Sequence, residues 1–493
     1  MRRSALVLAL CGCNQFYGLD ATKARDAAPD AHDRQVRLSM LVGPATDAAS
    51  EGTPVLRPVS PDPQPRIALL ENKLGPARYL EDDPSGIVPY PIEYVGKQWR
   101  LEYTPPDSVA HEVQWSPADT AGHLIVPVIG RTERTTVPAN TGYILSMKLL
   151  SGTLYSFTPK TVIYTTGYWS SAASTVSTLT PKVDFSTAPS MSGPAGSPSA
   201  THKDVVVAVD YTPEGNCLVA SRAGGAQATA LEPGVMTSLA LEVETGTEQL
   251  TPSFVGESPF DAQSRLKALV DARSGMQIQT EGKMVFGLLA HTLLPFTTSF
   301  DGVPAPLLVP IAECPVLGAA PPTPVFHLGG SLAFPKGSFV FVTNDRTVNN
   351  VRLRSSIAAI GRLTTTVYES TFAVAGTRSI KIDDLELLGD GESIGTRTEL
   401  TLGFETATNL VVDYFEVTLY RLAGTTLEPV RTYVGPDPAK PTIHFDPSLL
   451  LPDTAYVFAV RTYRGRPGAR TGEFQTVQGP QAVATIFSAT FKR

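Results

Sequence analysis

Few residues in this chain are of types that do chemistry, and their spacing separates the candidates. Gly391-Glu392-Ser393-Ile394-Gly395 has the Gly-x-Ser-x-Gly spacing of a nucleophile elbow, in which a tight strand-to-helix turn presents a serine hydroxyl. That geometry needs a buried strand before the serine, a helix after it, and an acid and then a histidine downstream. Here Gly389-Asp390-Gly391 reads as a turn, and Thr398 to Phe404 follows with strand alternation. Only His444 lies downstream, alternating with Ile443 and Phe445 in a further strand. The other six histidines, His32, His111, His123, His202, His291 and His327, are scattered singly. No His-Glu-x-x-His or Cys-x-x-Cys pattern points to zinc, and no glycine-rich phosphate loop is present, so the motifs call for no metal or other cofactor. His111 and Glu112 are adjacent, which sends their side chains to opposite faces of a strand. Asp26, Asp30 and Asp33 lack the Gly and the distal Glu of a calcium loop and read as a solvated spacer.

Stacking on a sugar ring is the other chemistry to weigh. Trp99, Leu101 and Tyr103 share one strand face, and Trp115 follows Val113 at the same parity, so those rings read as core. Tyr168-Trp169 instead stands where a strand opens into Ser170-Ser171, so one ring faces outward if the other is buried. It is the candidate ligand platform. Of the four cysteines, Cys217 and Cys314 lie deep in the chain. They either pair in an oxidising compartment or remain two separate buried thiols. Paired, they would close a loop of about 100 residues, with about 4–5 kcal/mol of chain entropy taken from the unfolded state.

The other two cysteines lie at the start. Arg2 and Arg3 precede the apolar run Ser4 to Leu10, and Leu10-Cys11-Gly12-Cys13 follows. The run falls far short of the about 20 residues a spanning helix needs and fits a secretory h-region. The stretch resembles a bacterial lipobox. The resemblance implies diacylglyceryl transfer to the Cys13 sulfur, cleavage after Gly12 and acylation of the new N-terminus. Cys11 would leave with the signal, and Asn14, in place of an inner-membrane-retaining Asp, points to the outer membrane. Cys13-Asn14, Gly18-Leu19-Asp20-x-Thr22 and the Asp/Ala-rich tether after them are similar to a group of uncharacterised Gram-negative lipoproteins.

These residues must be carried on something, and composition says what. The chain has 493 residues, 42% of them hydrophobic, which is enough for two to four cores. Proline (42) and glycine (40) are plentiful and long helical patterns are absent, which favours strands and turns. Net charge is −7, with no Lys/Arg cluster to meet phosphates, so nucleic acid is excluded as a partner. The expected architecture is mainly β: tandem β-sandwich domains, one short helix in the middle region, and a sandwich at the C-terminus. A signal over 1–12 and a flexible acidic tether over 13–34 precede an N-terminal sandwich over 35–134. A middle β-rich region of one or two subdomains follows over 135–376, and the C-terminal domain covers 377–493. The one helix signal is Ser258 as cap, Pro259 first, Asp261 completing a capping box and Gly275 at the end, with Phe260, Leu266, Leu269 and Val270 near one face. Val303 to Val325 is broken by proline and reads as a connection.

At the C-terminus, Leu450-x-Pro452-x-Thr454-x-Tyr456-x-Phe458-x-Val460 resembles the tyrosine corner of fibronectin type III domains. Leu400, Leu402 and Phe404 are similar to that family's second strand, and Phe415, Val417 and Leu419 to its third. Phe404 stands where the family usually has tryptophan. Such domains space or bind, and fold alone assigns no partner. The expected protein is therefore a non-catalytic, lipid-anchored envelope protein with a structural or adhesive, protein-binding role. A carbohydrate-binding surface lipoprotein using Tyr168 and Trp169 is the alternative, and a hydrolase using Ser393 is the second. The partners are the membrane, through the lipid, and envelope proteins or polysaccharide.

Overall fold

The computed structural model describes residues 35–43, 57–59, 65–69, 87–89, 97–104, 109–115, 122–129, 137–149, 154–155, 160–166, 171–176, 181–187, 198, 200, 204–245, 248–254, 256–274, 282–289, 308–315, 323–325, 337–364, 367–395, 399–406, 410–435, 437–439, 441–474 and 481–493. They form a mainly β molecule with one α-helix among the described residues.

The first group of strands is β1 (Gln35–Gly43), β2 (Arg57–Val59), β3 (Arg66–Leu69), β4 (Ile87–Pro89), β5 (Trp99–Tyr103), β6 (His111–Trp115) and β7 (Gly122–Ile129). β1 pairs with β2, β4 and β7 in a small sheet, while β3, β5 and β6 form an antiparallel meander. In β5, Trp99, Leu101 and Tyr103 are all buried, as their alternation requires.

The middle group opens with β8 (Gly142–Leu149), β9 (Leu154–Tyr155), β10 (Thr161–Thr166), β11 (Ser171–Val176), β12 (Lys182–Asp184), β13 (Val205–Glu214), β14 (Cys217–Gln227), β15 (Met236–Thr245) and β16 (Glu248–Phe254). Tyr143, Leu145 and Met147 of β8 pack with Val206 and Ala208 of β13 and with Leu239, Leu241 and Val243 of β15 in one core. Helix α1 (Pro259–Ser274) and then β17 (Lys283–Leu289), β18 (Leu308–Pro315), β19 (Thr323–Val325), β20 (Gly337–Val348), β21 (Val351–Thr364) and β22 (Val367–Ser370) complete it. The helix starts as its sequence dictates: the Asp261 N–H donates to Ser258 Oγ at 3.2 Å, and the Ser258 hydroxyl donates to the Asp261 carboxylate at 2.7 Å. Ala262, Leu266 and Val270 are buried against the sheet, and Leu269 packs beside them. Phe260 departs from the expected face. It is 50% exposed, because the second helical position points away from the strands under the helix. The stretch Val303–Val325 is also more than a connection: Leu308–Pro315 lies between β17 and β14, its prolines tolerated beside a register shift at Phe286/Gly287.

The C-terminal group is β23 (Thr377–Ile382), β24 (Leu385–Glu386), β25 (Glu392–Ser393), β26 (Leu400–Thr406), β27 (Tyr414–Ala423), β28 (Thr426–Gly435), β29 (Thr442–Phe445), β30 (Ala455–Arg464), β31 (Gln481–Phe487) and β32 (Phe491–Lys492). One sheet runs β24-β23-β26-β29. The other places β28, β27, β30 and the β31–β32 segment side by side, with β25 parallel to β32. That is the strand order of a fibronectin type III-like sandwich. Phe404 fills the place usually held by tryptophan, edge-on to Phe415 at 4.8 Å between ring centroids. At the corner, the Tyr456 hydroxyl accepts from Leu451 N–H at 2.7 Å and donates to Leu449 O. Backbone ladders connect the groups: β21 pairs with β31, and β28 pairs with β6.

Candidate functional site

The serine of the elbow-like motif stands in β25, a two-residue strand beside Phe491–Lys492, and is exposed. A turn with positive φ at Gly391 and Gly395 brackets it, in place of the buried strand and helix that an elbow needs. His444 lies in β29 of the other sheet, exposed, with Nδ1 at 3.2 Å from Thr401 Oγ1. The structure does not bring Ser393 and His444 together. Tyr168, Trp169 and Cys13 lie outside the described residues, and so do the side chains of Trp115 and His123. Cys217 and Cys314 form a disulfide between β14 and β18, directly beside the register pair Leu218–Glu313.

The dense constellation is elsewhere and is absent from any motif. On one face of the C-terminal sheet Arg461, fully buried, donates through Nη1 to Glu416 Oε1 at 2.7 Å and to Thr418 Oγ1 at 2.9 Å, and through Nη2 to Tyr420 at 3.1 Å. Tyr463 donates to the second Glu416 oxygen, and its ring stacks on Tyr414 at 4.3 Å. Beside them, the Tyr103 ring lies 5.6 Å from that of His111, whose Nδ1 is 2.8 Å from Val109 O. The strand register puts these side chains on one face, because Arg461 opposes Glu416 and Tyr463 opposes Tyr414.

Burial sets the electrostatics of this cluster. It pushes the Tyr103, Tyr414 and Tyr463 hydroxyls well above their usual range, with the Glu416 charge adding to the effect. Burial lowers His111 to about 4, against a hydrogen bond to Val109 that favours its proton. Burial also raises Glu416, and the Arg461 charge holds that rise back. A general acid or base works best with a pKa near the operating pH. The tyrosine and His111 shifts run away from neutrality, while Glu416 is raised toward it but is held in an ion pair with Arg461. The groups can donate and accept fixed hydrogen bonds. The tyrosines and His111 are poorly placed to exchange protons at pH 7.

A second cluster lies on the opposite face, where β6 meets β28. Arg431 Nη1 donates to Glu112 Oε2 at 2.9 Å, and its Nη2 lies 2.5 Å from Glu102 Oε2. Arg66 Nε donates to Glu102 Oε1 at 2.8 Å, and Arg100 stands 3.9 Å from Glu112. Gln114 bridges from Glu112 to the backbone of His444. Sequence reasoning placed His111 and Glu112 on opposite faces but missed that both faces are buried. The segment itself gives no signal for this, since Arg100, Glu102, Glu112 and Gln114 make one parity polar; that face is covered only because β6 meets β28. Among the described residues no group of three or more His, Cys, Asp or Glu is arranged to hold a metal ion, and no helix is long and apolar enough to cross a membrane.

No protein-family model matches the chain, and no curated protein matches it. Among solved structures it is similar to the FN1-FN3 domains of chicken CNTN1, at 8% identity and a TM-score of 0.15, over 68% of this chain and 90% of that one. At that TM-score the likeness has no weight; the fibronectin-like fold rests on strand order and the Tyr456 corner.

Proposed function

We propose that this protein is a non-catalytic, lipid-anchored component of the bacterial cell envelope, held by Cys13 and presenting a β-rich body to protein partners. The lipobox-like Leu10-Cys11-Gly12-Cys13 supports the anchor, and Asn14 supports the outer membrane. The observation that carries the non-catalytic part is the fate of the proton-transfer groups among the described residues. His111 and the tyrosines around it are buried and shifted away from neutral pH, while Ser393 and His444 are exposed on different sheets.

Palmitate labelling and membrane fractionation of the full-length protein test the anchor. Wild type is expected to be labelled and membrane-bound and Cys13→Ala neither; a labelled, membrane-bound Cys13→Ala protein would overturn it. A serine-directed fluorophosphonate probe tests the rest. No labelling of Ser393 is expected, and labelling that Ser393→Ala removes would restore the hydrolase reading.

A further inference from the structure

We propose that the side of the C-terminal sandwich between β28 and β29 is a strand-acceptor seam. The chain fills it with its own His111–Trp115, and so clasps its N-terminal strands to its C-terminal domain.

The seam has two lips. On the first, β28 receives β6 in parallel register, with Thr432 opposite His111, Tyr433 opposite Glu112 and Val434 opposite Val113. Thr432 N–H donates to Ala110 O at 3.1 Å, so the N–H of Glu112, two residues on, also faces β28. The second lip is β29. In its antiparallel ladder with β26, Phe404 N–H reaches Pro441 O, which makes 404/441, 402/443 and 400/445 the bonded pairs. The N–H and C=O of His444 therefore point away from β26, toward the incoming strand. Gln114 takes both: its Oε1 accepts from His444 N–H at 2.9 Å, and its Nε2 donates to His444 O. A single strand is thus joined through its backbone to one sheet and through a side-chain amide to the other, closing the sandwich where each sheet would otherwise end in an open edge.

The same contacts say what the seam selects. At the position of Glu112 it needs a carboxylate, to meet Arg431. Two residues on it needs a carboxamide, because only that group offers a donor and an acceptor to the two backbone atoms of His444. The residue between them, Val113, is fully buried on the opposite face. The occupant is therefore an extended Glu-x-Gln segment running parallel to β28. Residues 111–115 supply it as part of a preformed antiparallel pair, since β5 and β6 are already laddered from Trp99–Trp115 to Tyr103–His111. The clasp stands independently of acylation at Cys13.

Two arms test it on the full-length protein. In hydrogen exchange, Gln114→Leu is expected to speed the His444 amide about tenfold, the scale of one lost hydrogen bond, while Ile443 and Phe445 amides, bonded to β26, do not change. An unchanged His444, or all three amides moving together, overturns the proposal. The second arm uses a fluorescent peptide of residues 97–117 and Glu112→Pro, which removes both the N–H facing β28 and the carboxylate. The variant is expected to bind the peptide at least about tenfold tighter than wild type, whose seam is filled. A Glu112→Pro protein with its disulfide and far-UV spectrum intact that binds no better than wild type overturns the seam. If that variant fails to fold, the exchange result decides.

Discussion

Arg461 and Glu416 are each almost fully removed from solvent and pair with one another, with Thr418 and Tyr420 accepting further hydrogen bonds from Arg461 and Tyr463 donating to Glu416. A buried pair of this kind contributes little relative to apolar residues of equal volume, but losing one partner strands a charge. Arg461→Met is therefore expected to cost about 3–5 kcal/mol in denaturant unfolding, and Arg461→Met with Glu416→Leu to recover most of it. A double variant as unstable as the single one would sink this account. His111 gives a pH signature of known sign. Folded, it titrates at about 4; unfolded, near 6.5. The unfolded chain binds the extra proton between those values, so stability present above pH 6.5 is lost as pH falls, by about 3 kcal/mol once pH 4 is reached. Glu112 and Glu416 are raised by burial and act in the opposite direction. The comparison to make is therefore wild type against His111→Phe, at pH 7.5 and at pH 4.5. The variant should lose less stability on acidification, and equal losses would show that His111 is not the group responsible.

At the scale of elements, the corner and the helix cap show how much of the fold was legible and why the rest was not. Tyr456, Pro452 and Leu450 act through neighbours within a few residues, so a local pattern contains them; the same holds for Ser258 and Asp261 at the start of α1. Tyr456→Phe keeps the buried ring and removes the bond to Leu451 N–H. It should cost about 1–3 kcal/mol in an unfolding titration, and a loss below about 0.5 kcal/mol would mean that the bond is not holding the corner. The meeting of β6 with β28 joins residues more than 300 positions apart, and no local pattern carries it. Phe260 was misread for a related reason. Its spacing fits an apolar face, but the face is fixed by where β20 and β21 lie beneath the helix. Of the candidate site, the isolated Ser393 and His444 could be read from their flanking turns and strands. The Arg461–Glu416 cluster could not, because it comes from two strands and needs their register.

On the scale of the whole molecule, the β31–β32 segment belongs to two cores at once. Ala482, Ala484 and Ile486 of β31 pack with α1, β20 and β21 in the middle core, while Ala489 and Phe491 complete the C-terminal sandwich. Between them, Ser488 Oγ accepts from Phe458 N–H at 3.0 Å, and Arg346 of β20 donates to Ser488 O while contacting Asp390 through both carboxylate oxygens at 3.1 Å. Melting either core loosens the segment that the other needs, so the two should unfold together and not as separate beads. The disulfide acts on this unit as a whole: its 97-residue span encloses α1, and reduction should lower the transition by about 2–5 kcal/mol. Calorimetry of the oxidised protein tests the coupling through two truncations five residues apart. Ile486→Ala should cost about 2–5 kcal/mol and Phe491→Ala about 3–5, each by opening a cavity in a different core. Both are expected to move one shared transition. Two resolved transitions, with each variant moving only its own, would mean that β31 and β32 transmit nothing between the cores.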